Sequence, residues 1–269
     1  MITTSDLFNK IKYVLDYTEI TSFGAKEPLV ADKYLENSQL VVARSKDGST
    51  DGFFFGVKGG YNDEFGNQND AGNFVLYANG KPLIVDPGSS SKTSKAIGND
   101  RYSVWSNQSA WHNLPTINGY MQAQGANYRV IEMNESASDS KVEVSMSLMY
   151  AYNLAAEIKN WTRTYTFDRK SGLEINDNFD LNSVKGETYV SFIAFSKPEL
   201  KKPGLITFSL DGKKYEFEYK SAGFTVDIEE IKKEDEHYLS NWDSSLYRII
   251  LKPTSATRSG NWTYRFTKA

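Results

Sequence analysis

The chain has no cysteine, two histidines and seven prolines in 269 residues. The missing cysteines exclude disulfides and thiolate metal sites. They leave the compartment open, because exported bacterial proteins also do without cysteine. No apolar run reaches the length that spans a bilayer. The opening MITTSDLFNKIKYVLDY lacks the continuous apolar core of a secretory leader, so the chain as written is expected to be soluble and unexported. A net charge of −3 supplies no overall basic field for a polyanion, which makes nucleic acid a poor partner. Gly-x-Ser-x-Gly is absent, as is a Gly-rich phosphate loop, and with them go the common serine-hydrolase and nucleotide-binding arrangements.

Aromatics, by contrast, are plentiful: 17 Tyr, 15 Phe and 5 Trp. Such rings pack well on pleated sheets, and their faces also suit sugar C–H groups. One helix is expected near the start, where Leu7, Phe8, Ile11, Val14 and Leu15 follow helical spacing behind a Thr4 or Ser5 cap. From residue 38 onward the signals are β. Asn79-Gly80 between FVLYA and KPLIV marks a tight hairpin, because both residues tolerate the positive φ of a type I′ turn. Asn118-Gly119 and Asp211-Gly212 repeat the signal. KVEVSMSLM, WTRTYTF, LEINDNFDL, YVSFIAF and WTYRF all read as strands. The expected fold is all-β: a large antiparallel β-sandwich over residues 21–269 behind an N-terminal helix within residues 1–20. LKKPGL, around Pro203, is the best candidate for a joint between its halves.

Polar ligand types gather between Phe53 and Met121. Asn67, Gln68, Asn69 and Asp70 precede the Asn79-Gly80 hairpin, Asp86 follows it in an Asp-Pro-Gly, and His112 comes from a later loop. A hairpin brings its ends together, so Gln68 and Asp86 become neighbours. With His112 they offer an amide oxygen, a carboxylate and an imidazole to a divalent ion such as zinc or calcium, an amide being a weak zinc ligand. The alternative is a hydrogen-bonded cluster that braces loops. Asn67, Asn69, Arg101, Tyr102 and Asn113 are candidates for contacting a glycan, as are Asn107 and Gln108. Asp70 and Asp86 could be nominated as a glycosidase pair. Lys58, Lys81, Lys92, Lys95 and Arg101 cluster in this region of the sequence and could make a local basic patch. His237, in a charged run, reads as an exposed side chain.

KGGYNDEFGNQNDAGNFVLYANGKPLIVDPG followed by SNQSAWHNLPTINGYMQ resembles the C-terminal β-sandwich module of the heparinase II/III-type polysaccharide lyases. The likeness is densest from Lys58 to Gln122. It implies a helical toroid in front of the sandwich, with an acidic polysaccharide in the cleft between them. The implied reaction is β-elimination: the uronate carboxylate is neutralised, the C5 proton is removed and the glycosidic oxygen leaves C4. By position, the metal ligands of the family would be Gln68, Asp86 and His112. Where the family's sandwich carries a catalytic histidine, this chain has Gly66, so no catalytic residue is assigned. The toroid, with its tyrosine and its Asn or His, lies outside the chain. Two functions follow as expectations: a lyase module that needs a helical partner, or a non-catalytic module that binds or braces against an acidic glycan.

Overall fold

A computed structural model describes residues 4–17, 22, 27–64, 66–88, 99–232, 242 and 244–269. His237, Lys92 and Lys95 lie outside the described residues. The helix α1 spans Thr4–Leu15, and its Ile11, Val14 and Leu15 are exposed. No helix among the described residues is long and apolar enough to cross a membrane.

Strands build the rest. In chain order they open with β1 (Asp32–Leu35), β2 (Leu40–Arg44), β3 (Phe53–Lys58), β4 (Tyr61–Asn62), β5 (Phe74–Ala78) and β6 (Lys81–Ile84). There follow β7 (Pro115–Thr116), β8 (Gly125–Arg129), β9 (Ile131–Ala137), β10 (Lys141–Ser147), β11 (Ile158–Asp168) and β12 (Gly172–Leu181). The last are β13 (Tyr189–Ala194), β14 (Glu199–Lys202), β15 (Leu205–Leu210), β16 (Lys213–Tyr219), β17 (Phe224–Ile231), β18 (Leu246–Pro253) and β19 (Ser259–Lys268).

One sheet runs β1-β2-β3-β5-β6-β13-β18-β17, with β7 joined to β13. The other runs β14-β15-β16-β19-β12-β11-β10-β9, and β4 and β8 form a small ribbon. The pairings are antiparallel, as the hairpin-rich sequence requires.

All three expected type I′ turns form: Asn79 and Gly80, Asn118 and Gly119, and Asp211 and Gly212 each have positive φ in succession. Pro203 differs from expectation. Pro203-Gly204 closes the β14–β15 hairpin inside one sheet, with Lys202 opposite Leu205, and is no joint between halves. Proline presets φ for a turn's first corner and Gly204, at φ 89°, takes the second, so the pair makes a local reversal.

Alternation along the strands sends one face inward, where aromatic rings fill the space between the sheets. Phe55 stacks on Phe167 at 5.9 Å, and Phe192 meets Tyr264 at 5.2 Å and Phe217 at 5.0 Å. Tyr165, fully buried, donates its hydroxyl to Gly72 O at 2.7 Å and ties the sheets together beside the residue 66–73 loop. Gly72 has φ 85°, and a β-carbon there would come within 2.4 Å of Leu148 Cδ2. Gly72→Ala should therefore destabilise the protein by about 1–2 kcal/mol from backbone strain and crowding. Chemical denaturation checks this, and an unchanged midpoint would contradict it.

Candidate functional site

The site lies where the β5–β6 hairpin, the loop before it and the loop before β7 meet. Trp105 and Trp111, from short 3₁₀ turns, touch at 5.0 Å and pack with Val85, Ile193, Ile231 and Leu246 on the outer side of the first sheet. That apolar cap fixes the loop carrying His112 against the end of β6, where Asp86 begins.

Asp86 and His112 are direct partners, Oδ2 to Nδ1 at 3.0 Å. Asn73 donates Nδ2 to the same carboxylate oxygen at 2.6 Å, and the Gly88 N–H bonds the other oxygen. The His112 ring is wholly buried, and its Nε2 has no partner among the described residues. Gln68 donates Nε2 to Ser106 O at 2.9 Å, which leaves its Oε1 without a donor among the described residues. Gln68, Asp86, Asn73, Lys58 and Asp70 line one cavity of about 340 Å³, with Phe54 and Val42 on its apolar side. Hairpin closure thus places Gln68 and Asp86 at one cavity, with His112 behind Asp86.

The charges are interdependent. Burial would raise the Asp86 carboxyl, but the His112 ring and the Gly88 N–H outweigh it and hold the group below the ordinary range. Burial likewise works to lower the His112 pKa, and the Asp86 carboxylate, with Asp70 behind it, overrides that and raises it. Burial raises Asp70, despite the Lys58 ammonium at 3.0 Å. The nominated glycosidase pair, Asp70 and Asp86, is therefore committed to Lys58 and to His112.

Asn67, Arg101 and Tyr102 form one cluster. Arg101 donates to Asn67 Oδ1 at 3.0 Å and stacks on the Tyr102 ring, whose hydroxyl lies 3.1 Å from the same amide oxygen. Asn69 is held against Asn107 O and Gln122 O, with its own Oδ1 unpartnered. Asn107 and Gln108 spend their amide N–H groups on Arg101 O and Tyr102 O.

Asn113 is fully buried and used up by the fold. Its Nδ2 donates to Phe74 O and Val85 O, its Oδ1 accepts from Ile193 N, and its own N–H donates to Asn73 Oδ1. No donor remains for a sugar, which corrects the sequence expectation. An amide at this point joins three strands and steadies its neighbour, His112.

Sequence reasoning missed the brace behind this loop. Arg163 and Asp177, both at 0% exposure, pair through two bonds of 2.7 and 2.6 Å, and Trp161 Nε1 adds a third to Asp177 at 3.1 Å. The remaining arm of Arg163 donates to Asn113 O at 2.7 Å. A chain of hydrogen bonds therefore runs from the core through Asn113 and Asn73 to Asp86 and His112. The signal was in the alternation, since Arg163 and Asp177 fall on the inward parity of β11 and β12 and face each other in register.

The heparinase II/III-like C-terminal family model matches residues 31–241. The chain belongs to that family. Its β18 and β19 lie beyond the matched span and complete the two sheets. Among solved structures, the heparan sulfate lyase HepC from Pedobacter heparinus is similar with a TM-score of 0.73 at 17% identity, over 95% of this chain and 39% of HepC. The heparinase III-BT4657 gene product gives 0.72 at 16% over 98% of this chain and 40% of that one. A further heparinase III gives 0.67 at 15% over 91% and 38%. These likenesses show a shared fold, and the heparinase II/III-like chain spans about two fifths of those enzymes. No curated protein matches it.

Proposed function

We propose that this chain is the sandwich module of a polysaccharide lyase that cleaves uronate-containing glycans by β-elimination, together with a helical toroid supplied by another segment or chain. The observation that carries the reading is the shared cavity of Gln68 and Asp86 with His112 buried behind it. Membership of the heparinase II/III-like family supports the substrate class, and the exposed Ile11, Val14 and Leu15 of α1 suit burial against further helices.

A divalent metal held by Gln68, Asp86 and His112 belongs to this proposal. Among the described residues no three of His, Cys, Asp and Glu come together, so an ion here needs the amide oxygen. Two ligands bonded tetrahedrally to zinc at about 2.0–2.1 Å sit roughly 3.3–3.4 Å apart. The 3.0 Å between Nδ1 and Oδ2 is a hydrogen-bond distance that would have to open by a few tenths of an ångström to admit an ion, and Gln68 Oε1 has no donor among the described residues. Such an ion would supply positive charge beside the cleft and fix the loops. Arg101 and Tyr102 would then contact the glycan, with buried Asn67, whose amide is spent on Gln68 O, Arg101 and Tyr102, holding them from behind rather than touching the sugar as expected.

Gly66 favours a second reading, a glycan-binding module without catalysis. It has φ 70°, a backbone conformation that favours glycine, and it carries no side chain that could move a proton. Acid–base catalysis requires a group within hydrogen-bond reach of the moving proton. The test is ultraviolet absorbance of unsaturated uronate with heparan, chondroitin and alginate. The isolated chain should release no product, and adding the helical segment should start release. Product from the chain alone would overturn the need for the toroid. Silence in both conditions would favour the binding module.

A further inference from the structure

A second cavity, of about 470 Å³, opens at the other end of β13. Thr188 lies just before that strand, and Ala194 at its far end pairs with Ile84, next to the Asp86 loop. The two sites are thus separated by roughly 15–20 Å along one strand. The cavity is formed by both sheets. Lys252 and Pro253 come from the end of β18, and Trp262 reaches across from β19.

Its chemistry is specific. Lys252 Nζ sits 3.5 Å from a Glu187 carboxylate oxygen, so the rim presents donors beside an acceptor with no net charge. Thr254 and Thr257 bring solvent-exposed hydroxyls to its edge. Trp262 is 9% exposed, yet its indole N–H has no acceptor among the described residues. That N–H is not sealed from water, which leaves it open to an acceptor on a ligand. An apolar wall of Pro253, Val184 and the indole faces these polar groups.

We propose that this cavity binds one or two pyranose units of a glycan, recognised by hydroxyl groups rather than by charge. The sugar's C–H face lies on the apolar wall, a ring hydroxyl accepts from the indole N–H, and the Lys252–Glu187 pair donates to and accepts from its neighbours. This site is independent of the cavity at Asp86 and would give a long polysaccharide a second point of attachment.

Calorimetric titration of the whole chain tests it, with cellobiose, maltose and an unsulfated uronate disaccharide as probes. At least one uncharged disaccharide should bind, and the uronate should bind within about threefold of it. Lys252→Met with Glu187→Gln, both at exposed rim positions, should weaken binding about tenfold, as should Trp262→Phe. Asp86→Asn should leave it unchanged. The proposal is overturned if no uncharged disaccharide binds, if the rim variant binds normally, or if the uronate is strongly preferred. Loss of binding in Asp86→Asn would place the sugar in the other cavity and equally overturn it. Displacement of cellobiose by 1-octanol at equal concentration would show an apolar pocket instead. Because these probes need no toroid and no metal, failure here leaves the lyase proposal standing.

Discussion

Replacing Arg163 by methionine should cost about 3–5 kcal/mol of folding stability, the largest loss expected from any single side chain away from the aromatic core. Arg163 and Asp177 are both out of contact with water, and the pair survives because every polar group in it is satisfied: two bonds join the ions, Trp161 donates to Asp177, and Asn113 O takes the last arm of Arg163. Removing the guanidinium leaves a buried carboxylate whose one remaining side-chain partner among the described residues is an indole. In a chain of this size the melting temperature should fall by about 10 °C. Arg163→Met combined with Asp177→Leu should recover part of the loss, since a well-packed apolar pair often replaces a buried ion pair at little cost, whereas the buried Trp161 indole N–H loses its acceptor. The double variant still lacks the donor to Asn113 O, so the His112 loop should stay looser and any bound metal weaker by about tenfold or more. A shift below about 1 kcal/mol in the single variant would show that the pair is not the brace its geometry describes.

His112→Ala should act on stability and on metal content together. The ring is wholly buried beside Asp86, so its loss opens a cavity and strips the carboxylate of its direct partner. The combined cost is about 2–4 kcal/mol. On the proposed metal reading, elemental analysis of the variant should also find the divalent ion gone, whereas Asn67→Ala, at the rim cluster, should keep it. Falling stability with unchanged metal content would mean that the Asp86–His112 pair only braces loops and that the ion is held elsewhere.

Much of the fold was legible because its determinants are local. Asn-Gly and Asp-Gly pairs set three turns by backbone preference alone, and alternation in KVEVSMS and WTRTYTF assigned strand faces without knowledge of their partners. Pro203 was misread because a Pro-Gly pair announces a reversal but not whether the chain then stays in its sheet. That depends on which edge is free for β15, a property of the whole sheet. At the site, the nearness of Gln68 and Asp86 followed from hairpin closure. Asn113 looked available to a sugar because an asparagine in a polar loop carries no mark of its burial. Only the convergence of Phe74, Val85 and Ile193 on its amide reveals that it is a structural clamp. Arg163 was hidden by its type, since charged residues are assigned outward by habit, although its strand parity pointed inward.

The most direct measurement is anomalous X-ray scattering from crystals of the whole chain grown with zinc, collected on both sides of the metal absorption edge. The expected result is one ordered peak within coordination distance of Gln68 Oε1, Asp86 and His112, abolished in His112→Ala. An empty site between those three side chains, or a peak bound only at surface carboxylates, would contradict it.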